Sequence, residues 1–169
     1  MEFLFFAALF LFFWARANKK KRLKAADKWA GFEESKRKLA PEQAKYDRML
    51  FGLPELVGDL SFSQDVGGEQ AYKETLDLYG EYIEKYHPGE EEIWVLVELE
   101  PTNEYDENAV RVEAGQATVG YIPKAEAEQF GRELRSLGGK ARANARFYWG
   151  QEGGRSSLTI DAVRPLKRK

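Results

Sequence analysis

The chain has 169 residues and a formal net charge of −2, from 26 Lys and Arg against 28 Asp and Glu. That length suits one compact domain with an appendage, and the balance excludes a strong overall attraction for polyanions. The absence of cysteine, with His87 as the sole histidine, excludes disulfides, thiolate ligands, cysteine nucleophiles, a His-based zinc site and a Ser-His-Asp triad.

Phe3 to Ala15 is an unbroken apolar run in which Phe3, Phe6, Phe10, Phe13 and Trp14 are the membrane-seeking side chains. A helix of this length spans about 20 Å, short of the roughly 30 Å hydrocarbon core. Arg16, Lys19, Lys20, Lys21, Arg22 and Lys24 follow the run, and only Glu2 precedes it. This is the reverse of a secretory signal. The charge asymmetry predicts a single-pass anchor over residues 1–17 with the rest of the chain cytoplasmic. Snorkelling cations would make up the missing length. A helix lying in the interface is the alternative. Residues 18–53 read as a charged helical stalk carrying Trp29, Phe32, Leu39, Tyr46 and Leu50, with a short helix after Pro41.

The domain is expected over residues 54–163. Leu56 to Phe62 reads as a strand. Tyr72, Leu76, Tyr79, Ile83 and Tyr86 share one face of a helix from Glu69 to Tyr86. Its tyrosines are core contacts in this reading. Pro88-Gly89 ends the helix and leaves His87 in a loop. Strands follow over Glu92–Glu100, Asn108–Glu113 and Ala117–Ile122. A helix from Pro123 then buries Ala127, Phe130, Leu134 and Leu137 and stops at Gly138-Gly139. Ala141, Ala143, Ala145, Phe147 and Trp149 alternate with Arg142, Asn144, Arg146 and Tyr148, and Leu158, Ile160 and Ala162 continue the pattern. Residues 164–169 read as a disordered basic tail. The order β-α-β-β-β-α-β-β, with short strands and polar turns, predicts a mainly β, α+β fold with two helices. The expected architecture is a small antiparallel, OB-like or SH3-like, partly closed barrel.

Asn103, Asp106 and Asn108 are residues whose side chains bond nearby backbone and tighten turns. A calcium loop fits poorly, because no glycine sits at the sharp turn and no bidentate Glu follows at the required offset. Val57-Gly58-Asp59, Tyr72, Leu76, Glu100-Pro101, Asn103, Asp106, Asn108-Ala109-Val110, Val119-Gly120-Tyr121 and Ala127 stand in an order that resembles the HIRAN domain, over roughly Leu56 to Val163. With the anchor, the chain resembles a membrane-tethered, bacterial-type member. The resemblance implies a β-barrel that holds a single-stranded 3′ DNA end, with Asn103, Tyr105, Asp106 and Lys124 in the places of contact residues. This chain departs from the family at Asp59-Leu60-Ser61-Phe62, where an arginine that grips phosphate is missing.

On the outer side of the fifth strand, Arg142, Arg146 and Tyr148 offer positive charge and an aromatic plate, with Asn144 between them, as a single-strand groove does. The reading is therefore a non-catalytic nucleic-acid-binding module without a cofactor, for which single-stranded DNA is the favoured ligand. The rival is a protein-interaction adaptor at the membrane face, using the acidic 90–107 region or the tyrosine helix. An enzyme has little support: no phosphate-cradling loop ending in Gly-Lys-Ser/Thr is present. A carboxylate-only metal nuclease would have to use Glu98, Glu100 and Asp106.

Overall fold

Alanine at every second position from 141 to 145 thins one side of that strand, and this side lines the interior of a curled sheet. The computed structural model describes residues 44–68, 70–86, 88–89, 91–150 and 154–169. In chain order they form α1 (described over residues 44–51), β1 (Gln64–Asp65), α2 (Lys73–Tyr86), β2 (Glu92–Leu99), β3 (Val110–Ala114), β4 (Ala117–Tyr121), α3 (Lys124–Ser136), β5 (Lys140–Tyr148) and β6 (Ser157–Asp161). From β1 onward this is the expected order, and α1 falls where Pro41 predicts a short helix.

All six strands join one antiparallel sheet in the order β1-β6-β5-β2-β3-β4. The two ends of the sheet meet at a single bridge. Gly67 N–H donates to the Tyr121 carbonyl (2.8 Å), and Tyr121 N–H donates to that of Gly67 (2.9 Å). The result is a barrel closed by one pair of hydrogen bonds. The contact is tight, because a β-carbon on Gly120 would stand 2.5 Å from the Gly67 oxygen. Glycine is required there by space.

Val95 and Val97 of β2, Val110 and Val112 of β3, the three β5 alanines and Ile160 of β6 are buried inside. Phe130 and Leu134 of α3 and Leu76 of α2 complete this core, with Tyr79 and Ile83 packed against it. The tyrosine stripe is thus a packing face for Tyr79, whose ring meets Phe147 edge-on at 5.6 Å. Burial pushes its phenol up to about 12. Gly80 leaves room for the Trp149 indole to lie on α2. A second small cluster, Tyr46 and Leu50 of α1 with Leu96, covers part of the outer side of β2.

Two expectations require correction. The strand predicted over Leu56–Phe62 is reduced to a bridge at Leu56 and the paired backbone of Val57, with a further bridge at Glu55 just before it. Beyond them, Leu60 (φ 66°) and Phe62 (φ 49°) adopt left-handed backbone, which no strand accommodates. The segment 164–169 is not a disordered tail. Val57 N–H donates to the Lys167 carbonyl, and Lys169 N–H donates to that of Glu55. Leu166 is buried, and Glu133 of α3 accepts from Arg164 Nε (2.8 Å) and from the Leu166 N–H (2.8 Å). A short run of like charge with no apolar stripe reads as a solvated tail, yet its backbone supplies the pairing.

The Arg164 guanidinium, reinforced by the Leu166 N–H and opposed by burial, lowers the Glu133 carboxyl below the ordinary glutamate value. Lys169 chiefly, and Arg142 with it, lower Glu55 in the same direction against burial. A carboxyl with a depressed folded pKa stabilises above its unfolded value and loses that contribution as pH falls through the folded one. Acidification below about 4.5, the usual glutamate value, is therefore expected to loosen the C-terminal ladder first. Hydrogen exchange at Val57 and Lys169 across pH 5 to 3 measures this, and Glu133→Gln should flatten the dependence.

Among the described residues no helix is long and apolar enough to cross a membrane. The predicted anchor over 1–17, with Phe3, Phe6, Phe10, Phe13 and Trp14, lies outside the described residues. So do the stalk up to residue 43 and His87.

Candidate nucleic-acid interface

The connection between β2 and β3 is held by its own side chains. Asn103 Oδ1 accepts from the N–H groups of Tyr105 (3.0 Å) and Asp106 (3.2 Å), and Asp106 Oδ1 accepts from Asn108 N–H (2.9 Å). Backbone bonds from Glu100 N–H to Ala109 and from Ala109 N–H to Asp106 close the loop at its base. These are the side-chain turns that the Asn and Asp spacing predicts. They leave Tyr105 at the tip with 88% of its surface exposed.

The loop is also fastened sideways. Asn103 Nδ2 donates to Glu100 Oε2 (2.8 Å), and the Tyr121 hydroxyl donates to the same oxygen (2.9 Å). Asn103 chiefly, then Tyr121 and Arg111, hold the Glu100 carboxyl below its ordinary value against the effect of burial. Arg111 is bracketed by Glu98 (3.0 Å), Glu100 (3.5 Å) and Glu113 (2.9 Å). Glu98 and Glu100, the carboxylates considered for a metal nuclease, are thus engaged by a guanidinium. Among the described residues no group of His, Asp and Glu is arranged to hold a metal ion.

The residues predicted to touch nucleic acid therefore divide by role. Asn103 and Asp106 help frame the loop, Asn103 through both its amide atoms and Asp106 through Oδ1. Tyr105 offers both ring faces. Lys124 begins α3 after Tyr121-Ile122-Pro123, is exposed, and makes no ion pair among the described residues. Replacing Asn103 with alanine removes three hydrogen bonds and is expected to cost about 1–2 kcal/mol of stability. Urea denaturation of this variant checks the value.

On β5 the predicted set also separates. Arg142 is structural: it pairs with Glu55 (2.8 Å), and its guanidinium lies 4.9 Å from the Phe51 ring centroid and 5.1 Å from that of Trp94. It ties α1 and the 54–57 segment to the sheet. Arg146 is half exposed and stacks on Phe62 at 4.1 Å, with Glu92 at 3.5 Å. Asn144 donates to Glu92 (2.8 Å), and Tyr148 is 65% exposed. A shallow recess beside Arg146 is lined by Gly89, Glu91 and Glu92.

In register, Arg146 faces Glu92 and Lys140 faces Glu98, so the two candidate groups sit toward opposite ends of β2. That interval is about 20 Å of strand. The structure thus places Tyr105 and Lys124 toward one end and Arg146 and Tyr148 toward the other. Sequence reading missed the Tyr121–Glu100 link, although the acid and the phenol both stand in the motifs quoted above. It also missed the Phe62–Arg146 stack, which only the fold creates.

Residues 79–158 match the HIRAN domain family. The matched span runs from the middle of α2 into β6, just under half of the chain. It contains the 100–109 loop, Lys124 and the whole of β5. The HIRAN match supports the resemblance drawn from the sequence motifs, and it leaves the 54–68 segment and the C-terminal ladder outside its limits. No curated protein and no solved structure matches the chain.

Proposed function

We propose that this chain is a non-catalytic, nucleic-acid-binding HIRAN module that engages single strands, with single-stranded DNA or DNA ends as the favoured ligand. The observation that carries the proposal is Tyr105, an aromatic ring almost wholly exposed at the tip of a loop locked from beneath. An exposed ring on a fastened loop presents its face for stacking a base with little backbone ordering, and such stacking tolerates any base. Lys124, Arg146 and Tyr148 add charge and a second ring. Asp59 stands where the resemblance implies an arginine, so backbone affinity rests on these three and Tyr105.

The test is a titration of the full-length protein against labelled single strands with free and blocked 3′ hydroxyls, at low and high salt. Affinity should fall as salt rises, since phosphate contacts release counterions. Binding that is unaffected by salt, or absent at low salt, contradicts the proposal. Preference for a free 3′ hydroxyl would add end recognition.

The apolar run over 3–15 and the cations behind it support tethering of this module to the cytoplasmic face of a membrane. Deleting residues 2–17 should move the protein from the membrane to the soluble fraction on centrifugation. A protein-docking role draws on a different observation, the acidic setting of Glu98, Glu104, Asp106, Glu107 and Glu113 around the same loop. Recovery of one partner from membranes after nuclease treatment, lost on reversing those charges, would favour docking.

A further inference from the structure

Asp161 is 95% buried at the end of β6, with only 5% of its surface accessible. Its Oδ1 accepts from the N–H groups of Asp59 (3.0 Å) and Leu60 (2.9 Å). A β-carbon at Gly58 would stand 1.8 Å from its Oδ2, so the chain passes directly over the carboxylate. Asp59 in turn accepts from Ser61 N–H (3.0 Å), which knits the loop further. Two non-glycine residues in this loop, Leu60 and Phe62, hold left-handed backbone. Such conformations persist only where surrounding bonds impose them. Phe62 is buried, and Arg146 lies upon its ring.

The geometry points to Asp161 as a positioning residue for the Arg146 phosphate contact. It clamps the 58–62 loop, the loop seats the Phe62 ring, and the ring orients the guanidinium toward the strand. This rests on the reading of Arg146 as a nucleic-acid contact. The ring face and the loosely held Glu92 together fix a side chain that would otherwise be free on the barrel surface.

The test uses the full-length protein and a labelled oligodeoxythymidine, with two readouts. The first needs no ligand: Arg146 side-chain protons lie over an aromatic ring and should resonate upfield. That displacement should vanish in Asp161→Ala and in Phe62→Leu, which keeps an apolar plug without the ring. Asp161→Asn retains an oxygen acceptor for both N–H groups and should preserve it. The second readout is the dependence of log affinity on log salt. Arg146→Ala should lower the slope by about 0.7, the value of one single-strand phosphate contact. Asp161→Ala should lower it equally, and the double variant should go no further.

An upfield displacement retained in Asp161→Ala overturns the proposal. So does a salt slope that Asp161→Ala leaves unchanged, or losses that add in the double variant. Phe62→Leu carries both readouts if Asp161→Ala does not fold. Absence of any binding by the unaltered protein overturns the underlying reading as well. Tyr105-dependent binding with an unaltered Asp161→Ala slope overturns this inference alone.

Discussion

Replacing Tyr105 with alanine is expected to weaken single-strand binding about tenfold while leaving the fold intact. The magnitude follows from base–aromatic stacking, which contributes about 1–3 kcal/mol per base. The selectivity follows from exposure, since a ring with 88% of its surface in water contributes little to the core. The loop beneath does not need the ring. Its turns are made by Asn103, Asp106 and the main chain. Fluorescence anisotropy gives the affinity, and a thermal melt matched to the parent protein shows that only the ligand surface changed. An affinity equal to that of the parent would remove the loop from the interface. Phenylalanine at the same position should restore most of the binding, because stacking uses the face of the ring and not its hydroxyl.

Gly120→Ala is expected to have the largest effect on stability, about 1–3 kcal/mol and more if the seam opens. The added carbon would meet the Gly67 carbonyl oxygen at 2.5 Å and the Val66 side chain at 2.6 Å. The carbonyl cannot withdraw without disturbing the two hydrogen bonds that join β4 to the 64–67 segment, and the Val66 side chain is buried. The damage should reach the candidate interface too, because Tyr121 is the next residue and its hydroxyl fastens Glu100. Chemical denaturation gives the loss of stability. Faster amide exchange at Gly67 and Tyr121 than elsewhere in the sheet would place the damage at the seam. A Gly120→Ala protein as stable as its parent would mean that the barrel does not depend on this junction.

The sequence carried most of this fold because its strands alternate strongly and its turns are chemically explicit. The Ala-x-Ala-x-Ala rhythm of 141–145 gave both the strand and its inner side, and Asn103, Asp106 and Asn108 marked the connection that they build. What failed did so for one physical reason. Around Leu56–Phe62 and 164–169, conformation is imposed by residues 31 to 102 positions away rather than by local preference. Asp161 bends the first segment from |i−j| of 101 and 102, and Glu133 pins the second from 31 and 33. No periodicity within a short window reports such bonds. The surroundings of the candidate residues were not legible from their chemistry alone. Asn103, Asp106 and Arg142 are candidates for contact by their chemistry, and each also bonds within the protein: the Asn103 amide through both its polar atoms, Asp106 through Oδ1, and Arg142 by its pair with Glu55.

The pairing of 55–57 with 167–169 brings the beginning and the end of the barrel domain side by side. A polypeptide organised in this way can be threaded between other segments as an insert, since its flanks emerge as neighbours. It should also tolerate circular permutation. Joining residue 169 to residue 54 by a short flexible linker and opening the chain at the exposed Gly115-Gln116 turn would preserve every contact of that ladder.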